Sequence, residues 1–252
     1  MDNNSYSHND GKFCFLWDHL KAQCRYKRYS PLLAELDERY DVYHVLLTLP
    51  NVTGKSLAKT LEKMQKGFSR LIEYFSGERQ AEGLNFERYG YVGAIRFLEV
   101  KIIKGREGDK TFFQPHFHCA FVLKKGLSFL KTIENSHSYT KRINGRFMKV
   151  RFSALEVLLQ KIWCLLMLDI PVTESNIWNI GPLTSGRYKD GFLVRTNKAN
   201  GKYHEIFKET ITRSWNDPFT YDDFCCLSFA LENIPVYELY GCFSDFGLFE
   251  GD

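Results

Sequence analysis

An α+β fold, with a central antiparallel sheet flanked by helices, is predicted by three features of this sequence. An apolar run over residues 43–50 leads into a strongly amphipathic segment over 53–78. Two further apolar runs, 92–103 and 114–123, are separated by a short polar link and read as a hairpin. No internal repeat or low-complexity linker divides the chain. Residues 12–252 are therefore expected to form a single domain with a helical N-terminal extension, behind a disordered tail at 1–11. The helices are expected on one side of the sheet.

In chain order, Phe15, Leu16, His19 and Leu20 suit a short helix over 13–27, and Pro31 opens a second over 32–40 carrying Leu32, Leu33 and Leu36. Residues 43–50, almost all apolar and closed by Pro50, read as a covered central strand. Leu57, Leu61, Met64, Phe68, Leu71, Ile72 and Phe75 recur at intervals of three and four, which makes 53–78 the clearest helix of the chain. Ser153 and Glu156 have capping-box spacing ahead of a buried helix over 157–168. Beyond Pro171, the sequence predicts a short strand at 176–180, a Gly-rich basic loop over 184–201, helices over 202–213 and 222–231, and a last strand at 235–240.

The sharpest chemical signal is the stretch around His116 and His118. Strand side chains alternate, so histidines two positions apart project from the same face and can share an ion. Glu99, on the preceding strand of the hairpin, would lie near both. Two nitrogens and one carboxylate leave coordination positions open, as a catalytic ion requires and a closed structural zinc site does not. The plainer alternatives are half-buried strand histidines and a Glu99 paired with Lys101 or Arg96.

Lys and Arg exceed Asp and Glu by only 34 to 30, so an anionic partner has to be argued from local clusters. Lys21, Arg25, Lys27 and Arg28 surround Tyr26; Lys141, Arg142, Arg146, Lys149 and Arg151 form a second group. Cations interleaved with aromatics suit a nucleic-acid strand, and a solvated charged face is the alternative. Seven scattered cysteines without a Cys-x-x-Cys pair point to reduced thiols and a cytoplasmic location. The polar first residues lack a secretion signal, and the most apolar run, 155–170, is too short and too charged to span a bilayer.

Several of these stretches, in order, resemble the rolling-circle plasmid replication initiators, a branch of the HUH endonucleases. Residues 46–52, LLTLPNV, resemble that family's first motif; Pro115, His116, Phe117 and His118 resemble the second; residues 97–100 resemble the strand before it. The resemblance implies a protein that binds single-stranded or cruciform origin DNA and nicks one strand, with a tyrosine as nucleophile and an Mg or Mn ion held by His116, His118 and Glu99. A host helicase and polymerase would follow. The family's third motif resembles Glu-x-x-Lys-Tyr, matched here by Glu205 and Lys208, with Glu209 in the tyrosine position. Tyr203, nearest to that pair, is the candidate nucleophile, and Tyr188, Tyr237 and Tyr240 are further options. Gln114 stands where the family commonly has a histidine, and Glu209 in the tyrosine position keeps open a non-cleaving DNA-binding initiator or regulator on the same fold. A metal-dependent hydrolase with water as nucleophile is a third reading.

Overall fold

The computed structural model describes residues 15–105, 110–126, 138–143, 146–151, 153–180, 194–213 and 219–244. The expected tail at 1–11, Tyr188 and most of the 184–201 loop lie outside them. The fold is α+β around a mixed six-stranded sheet. Its strands are β1 (Tyr40–Thr48), β2 (Gly93–Lys104), β3 (Thr111–Lys124), β6 (Val194–Lys198), β7 (Ile211–Arg213) and β8 (Tyr237–Gly241). The order is β6-β1-β3-β2-β7, and β8 pairs with β2 beside β7. All pairings are antiparallel except β2 with β7, which is parallel. A separate hairpin, β4 (Ser138–Ile143) with β5 (Arg146–Arg151), carries the second basic cluster.

Helices cover both faces, not one. On the first face, α2 (Gly54–Ser76) and α3 (Ala154–Met167) bury Leu61, Phe68, Leu159 and Trp163 against Val45, Leu47, Leu98, Phe117 and Phe121. Gly77 ends α2 in the left-handed conformation at φ 85°, which a residue without Cβ adopts at no steric cost. The capping box of α3 forms as its spacing predicts: Ser153 Oγ accepts from Glu156 N at 3.1 Å, and Ser153 N donates to Glu156 Oε2 at 3.2 Å. Trp163 Nε1 donates to Thr48 O at 3.1 Å and fixes α3 to the end of β1.

The second face is covered by α1 (Phe15–Arg39), which runs unbroken through Pro31 where two helices were expected. Proline withholds one backbone donor, but Tyr29 and Leu33 on either side of it are both buried in the core of this face, and that packing holds the two halves in line. The remaining helices are α4 (Glu174–Asn179) and α5 (Tyr221–Leu231). The first replaces the strand expected at 176–180, because Thr173 caps it by accepting from Asn176 N at 3.1 Å. The second begins at a capping box between Thr220 and Asp223.

The helix expected over 202–213 is instead a 3-10 turn, Tyr203–Glu205, followed by β7. Asp18 on α1 explains the change. Its carboxylate accepts from Thr210 N at 2.5 Å, Thr210 Oγ1 at 2.8 Å and Ile211 N at 3.1 Å. Thr210 O in turn accepts from Val100 N at 2.7 Å, so the segment is drawn onto the edge of β2. Residues 194–198, expected within a loop, pair with β1 as its edge strand. No described helix is long and apolar enough to cross a membrane.

Candidate active site

Strand register assembles the site. Thr48 on β1 and Glu99 on β2 are both partners of His116 on β3, and His118 lies two residues further along β3 opposite Leu46 and Phe97. Cross-strand partners share a face, so His44, Thr48, Glu99, His116 and His118 all project from the face that α1 covers. The sheet thus brings Glu99, His116 and His118 together, as the hairpin reading anticipates. It adds His44, which sequence reading passes over within an apolar run. The available signal was its parity with Thr48, which places both on the face opposite Val45 and Leu47.

A chain of hydrogen bonds crosses four strands. Thr212 Oγ1 on β7 donates to Glu99 Oε1 at 2.6 Å, and His118 Nε2 donates to Glu99 Oε2 at 2.6 Å. His44 Nε2 lies 3.2 Å from His118 Nδ1, with the two rings stacked. The tautomers that satisfy both bonds have His44 donating to His118 and His118 donating to Glu99. His116 stands beside this chain, and its buried Nδ1 has no hydrogen-bond partner among the described residues.

Burial alone would raise the Glu99 carboxyl. The hydrogen bonds from His118 and Thr212 outweigh it and hold the carboxyl at about 2. Burial lowers His116 to about 4 despite the opposing pull of Glu99. His44 is also lowered to about 4, by burial first and then by the neighbouring His118. At neutral pH the site therefore holds an anionic carboxylate and two neutral imidazoles.

These shifts set a pH dependence of stability. Both imidazoles sit below their ordinary 6.5, so the folded chain binds fewer protons than the unfolded one as acidity rises. Their stabilisation is complete above pH 6.5 and is lost as pH falls towards 4. Glu99 extends the loss from about 4.5 to about 2. Each imidazole should contribute roughly 2–3 kcal/mol to this acid destabilisation. Urea unfolding midpoints measured from pH 7 to pH 4 should fall steeply, and His44→Gln should flatten the slope.

Facing this cluster is a cleft of about 430 Å³, bordered by His19, Gln23 and Tyr26 of α1 and by Glu99, Lys208 and Glu209. Of the residues expected at the third motif, Lys208 reaches the cleft and pairs with Glu205 at 2.8 Å. That ion pair holds the Glu205 carboxyl below its usual range. Tyr203 is not brought to the site. It is buried, its hydroxyl donates to Asp37 Oδ2 at 3.0 Å, and burial together with that bond raises it to about 12. The structure thus places the candidate nucleophile Tyr203 outside the lining of the cleft, with its hydroxyl bonded to Asp37. Tyr237 packs its ring on Phe97, and Tyr240 bonds Glu238 at 2.5 Å. Tyr26, exposed at the cleft margin, is the tyrosine that lines it. In the basic cluster of α1, Arg25 lies over the Phe97 and Tyr237 rings, at 5.8 and 4.9 Å, whereas Lys21 and Lys27 are exposed.

The donor set suits a divalent cation: a carboxylate held anionic, and a buried His116 nitrogen without a partner. Among the described residues no three such groups converge into a ready-made cage. His118 spends both nitrogens, on Glu99 and on His44, so taking up an ion replaces the His118–Glu99 bond. No family model, curated protein or solved structure matches the chain.

Proposed function

We propose that the protein cleaves one strand of DNA in a metal-dependent reaction, as an initiator of rolling-circle plasmid replication. The observation that carries this reading is that Glu99, His116 and His118 share one sheet face, with Glu99 opening onto an accessible cleft. The ordered motifs that resemble those initiators support it. Glu99, His116 and His118 would hold Mg or Mn, and a divalent ion bound there supplies Lewis-acid polarisation of the scissile phosphate. His44 contacts His118 and Thr212 holds Glu99, so both donors keep a supporting partner once an ion replaces the His118–Glu99 bond.

The substrate strand would lie along α1, where Lys21 and Lys27 neutralise phosphate and Tyr26 offers a ring for stacking. Lys21→Ala with Lys27→Ala should weaken single-stranded DNA binding and make the logarithmic salt dependence shallower by about 0.7 per lysine. Fluorescence anisotropy at several salt concentrations measures this directly.

The defining test is incubation of the protein with labelled single-stranded DNA and Mn, followed by denaturing electrophoresis. Strand cleavage that chelation abolishes supports the reading. A second reading, a non-cleaving initiator or regulator on the same fold, is favoured by Glu209, whose carboxylate stands where the family's motif has a tyrosine. Tight binding with no cleavage in Mg or Mn would establish it in place of the first.

A further inference from the structure

Glu209 faces the same cleft as Glu99, and the groups around it are arranged in series. Glu209 Oε1 lies 2.7 Å from His19 Nδ1, and His19 Nε2 lies 2.7 Å from Gln23 Nε2. The Gln23 amide can only donate to that ring nitrogen, so the ring proton sits on Nδ1 and is donated to Glu209. His19 and Gln23 are one turn apart on α1, and the residues that carry them are anchored to β7 by the buried Asp18. One oxygen of Glu209 is thereby fixed. Its other oxygen has no partner among the described residues.

Resting on the strand-cleavage reading, we propose that Glu209 is a general base and that the nucleophile is water. The carboxylate of Glu209 takes a proton from a water molecule as the water oxygen forms a bond to phosphorus. The bond from phosphorus to the 3′ oxygen breaks, and the Lys208 ammonium, in the same cleft, supplies the proton that this oxygen takes up. The products are a 5′ phosphate and a 3′ hydroxyl. Glu209 then releases its proton to solvent, where Lys208 regains one. His19 and Gln23 are positioning residues that hold the carboxylate, and no protein–DNA bond forms. This differs from the tyrosine transesterification that the resemblance implies, and it gives the carboxylate at position 209 a chemical role.

The experiment uses the full chain, a random-sequence pool of end-labelled single-stranded oligonucleotides, Mn, and water enriched in oxygen-18. The expected result is one heavy oxygen in the new 5′ phosphate and no DNA retained on denatured protein. Glu209→Gln should slow cleavage by about 10²–10⁴-fold with affinity for the pool no weaker than wild type. His19→Ala should slow cleavage by about 10–100-fold with affinity for the pool unchanged, and His19→Gln, which keeps a donor to Glu209, should restore the rate. A covalent adduct, with Tyr26 the first position to map, would overturn the proposal while leaving strand cleavage intact, as would a Glu209→Gln variant as fast as wild type. Absence of any cleavage by the wild-type protein would overturn the strand-cleavage reading itself, and this proposal with it.

Discussion

Replacing Arg96 by alanine is expected to destabilise the protein by about 3–5 kcal/mol, the range for breaking a buried ion pair from one side. Arg96 is fully buried on the face that α2 covers, with its guanidinium 4.3 Å from the Phe117 ring centroid and 5.9 Å from that of Phe68. Its Nε donates to Glu238 Oε2 at 3.0 Å, and its Nη2 bonds the same oxygen. Glu238 is also reached by Tyr240 Oη at 2.5 Å and by Gln65 Nε2 at 3.3 Å. The arginine is thus the charge that makes a carboxylate on β8 tolerable against the core, and through Gln65 that carboxylate also ties β8 to α2. Alanine would leave that carboxylate poorly compensated and open a cavity beside two aromatic rings. Urea unfolding should show a lowered midpoint with an unchanged slope, whereas a loss below about 1 kcal/mol would mean that Glu238 finds other partners.

Glu99→Gln and His118→Ala should each lower metal-dependent strand cleavage by about 10³-fold or more, equivalent to several kcal/mol of transition-state stabilisation. Glutamine keeps the shape of Glu99 and a carbonyl to accept from Thr212 or His118, but it cannot carry the charge that holds a cation. His118→Ala removes the residue on which Glu99 and His44 both converge. Tyr203→Phe is the informative control. It loses one hydrogen bond to Asp37 and should leave the cleavage rate near wild type. A large rate loss for Tyr203→Phe with stability unchanged would return the phenol to the reaction.

The legible parts of this fold are those written in local periodicity. Spacing of three and four over Leu57 to Phe75 yields α2, and the Ser153 and Glu156 pair yields the start of α3. Two apolar runs joined by a short polar link yield the β2–β3 hairpin and so the neighbourhood of Glu99, His116 and His118. What was not legible depends on partners distant in sequence. Residues 202–213 have helical composition, yet Asp18, far away in the chain, takes the backbone donors of Thr210 and Ile211. Helix α1 passes through Pro31 because Tyr29 and Leu33 are buried on a sheet face formed by later strands. His44 was hidden for a related reason. Its significance lies in β3 as a neighbour, which the run over 43–50 does not itself reveal.

The bonds from Asp18 and His19 to Thr210, Ile211 and Glu209 span about 190 residues of chain. During synthesis, α1 and the hairpin emerge long before the segment that completes the cleft. The strands that carry Glu99 and the histidines can therefore pair while the segment carrying Lys208 and Glu209 is still missing. Closing so long a loop carries an entropic cost that only the finished core repays, which places completion of the cleft late in folding. A ribosome stalled before Thr210 would hold a chain whose sheet strands β1 to β3 are complete while Asp18 still lacks the backbone donors of Thr210 and Ile211.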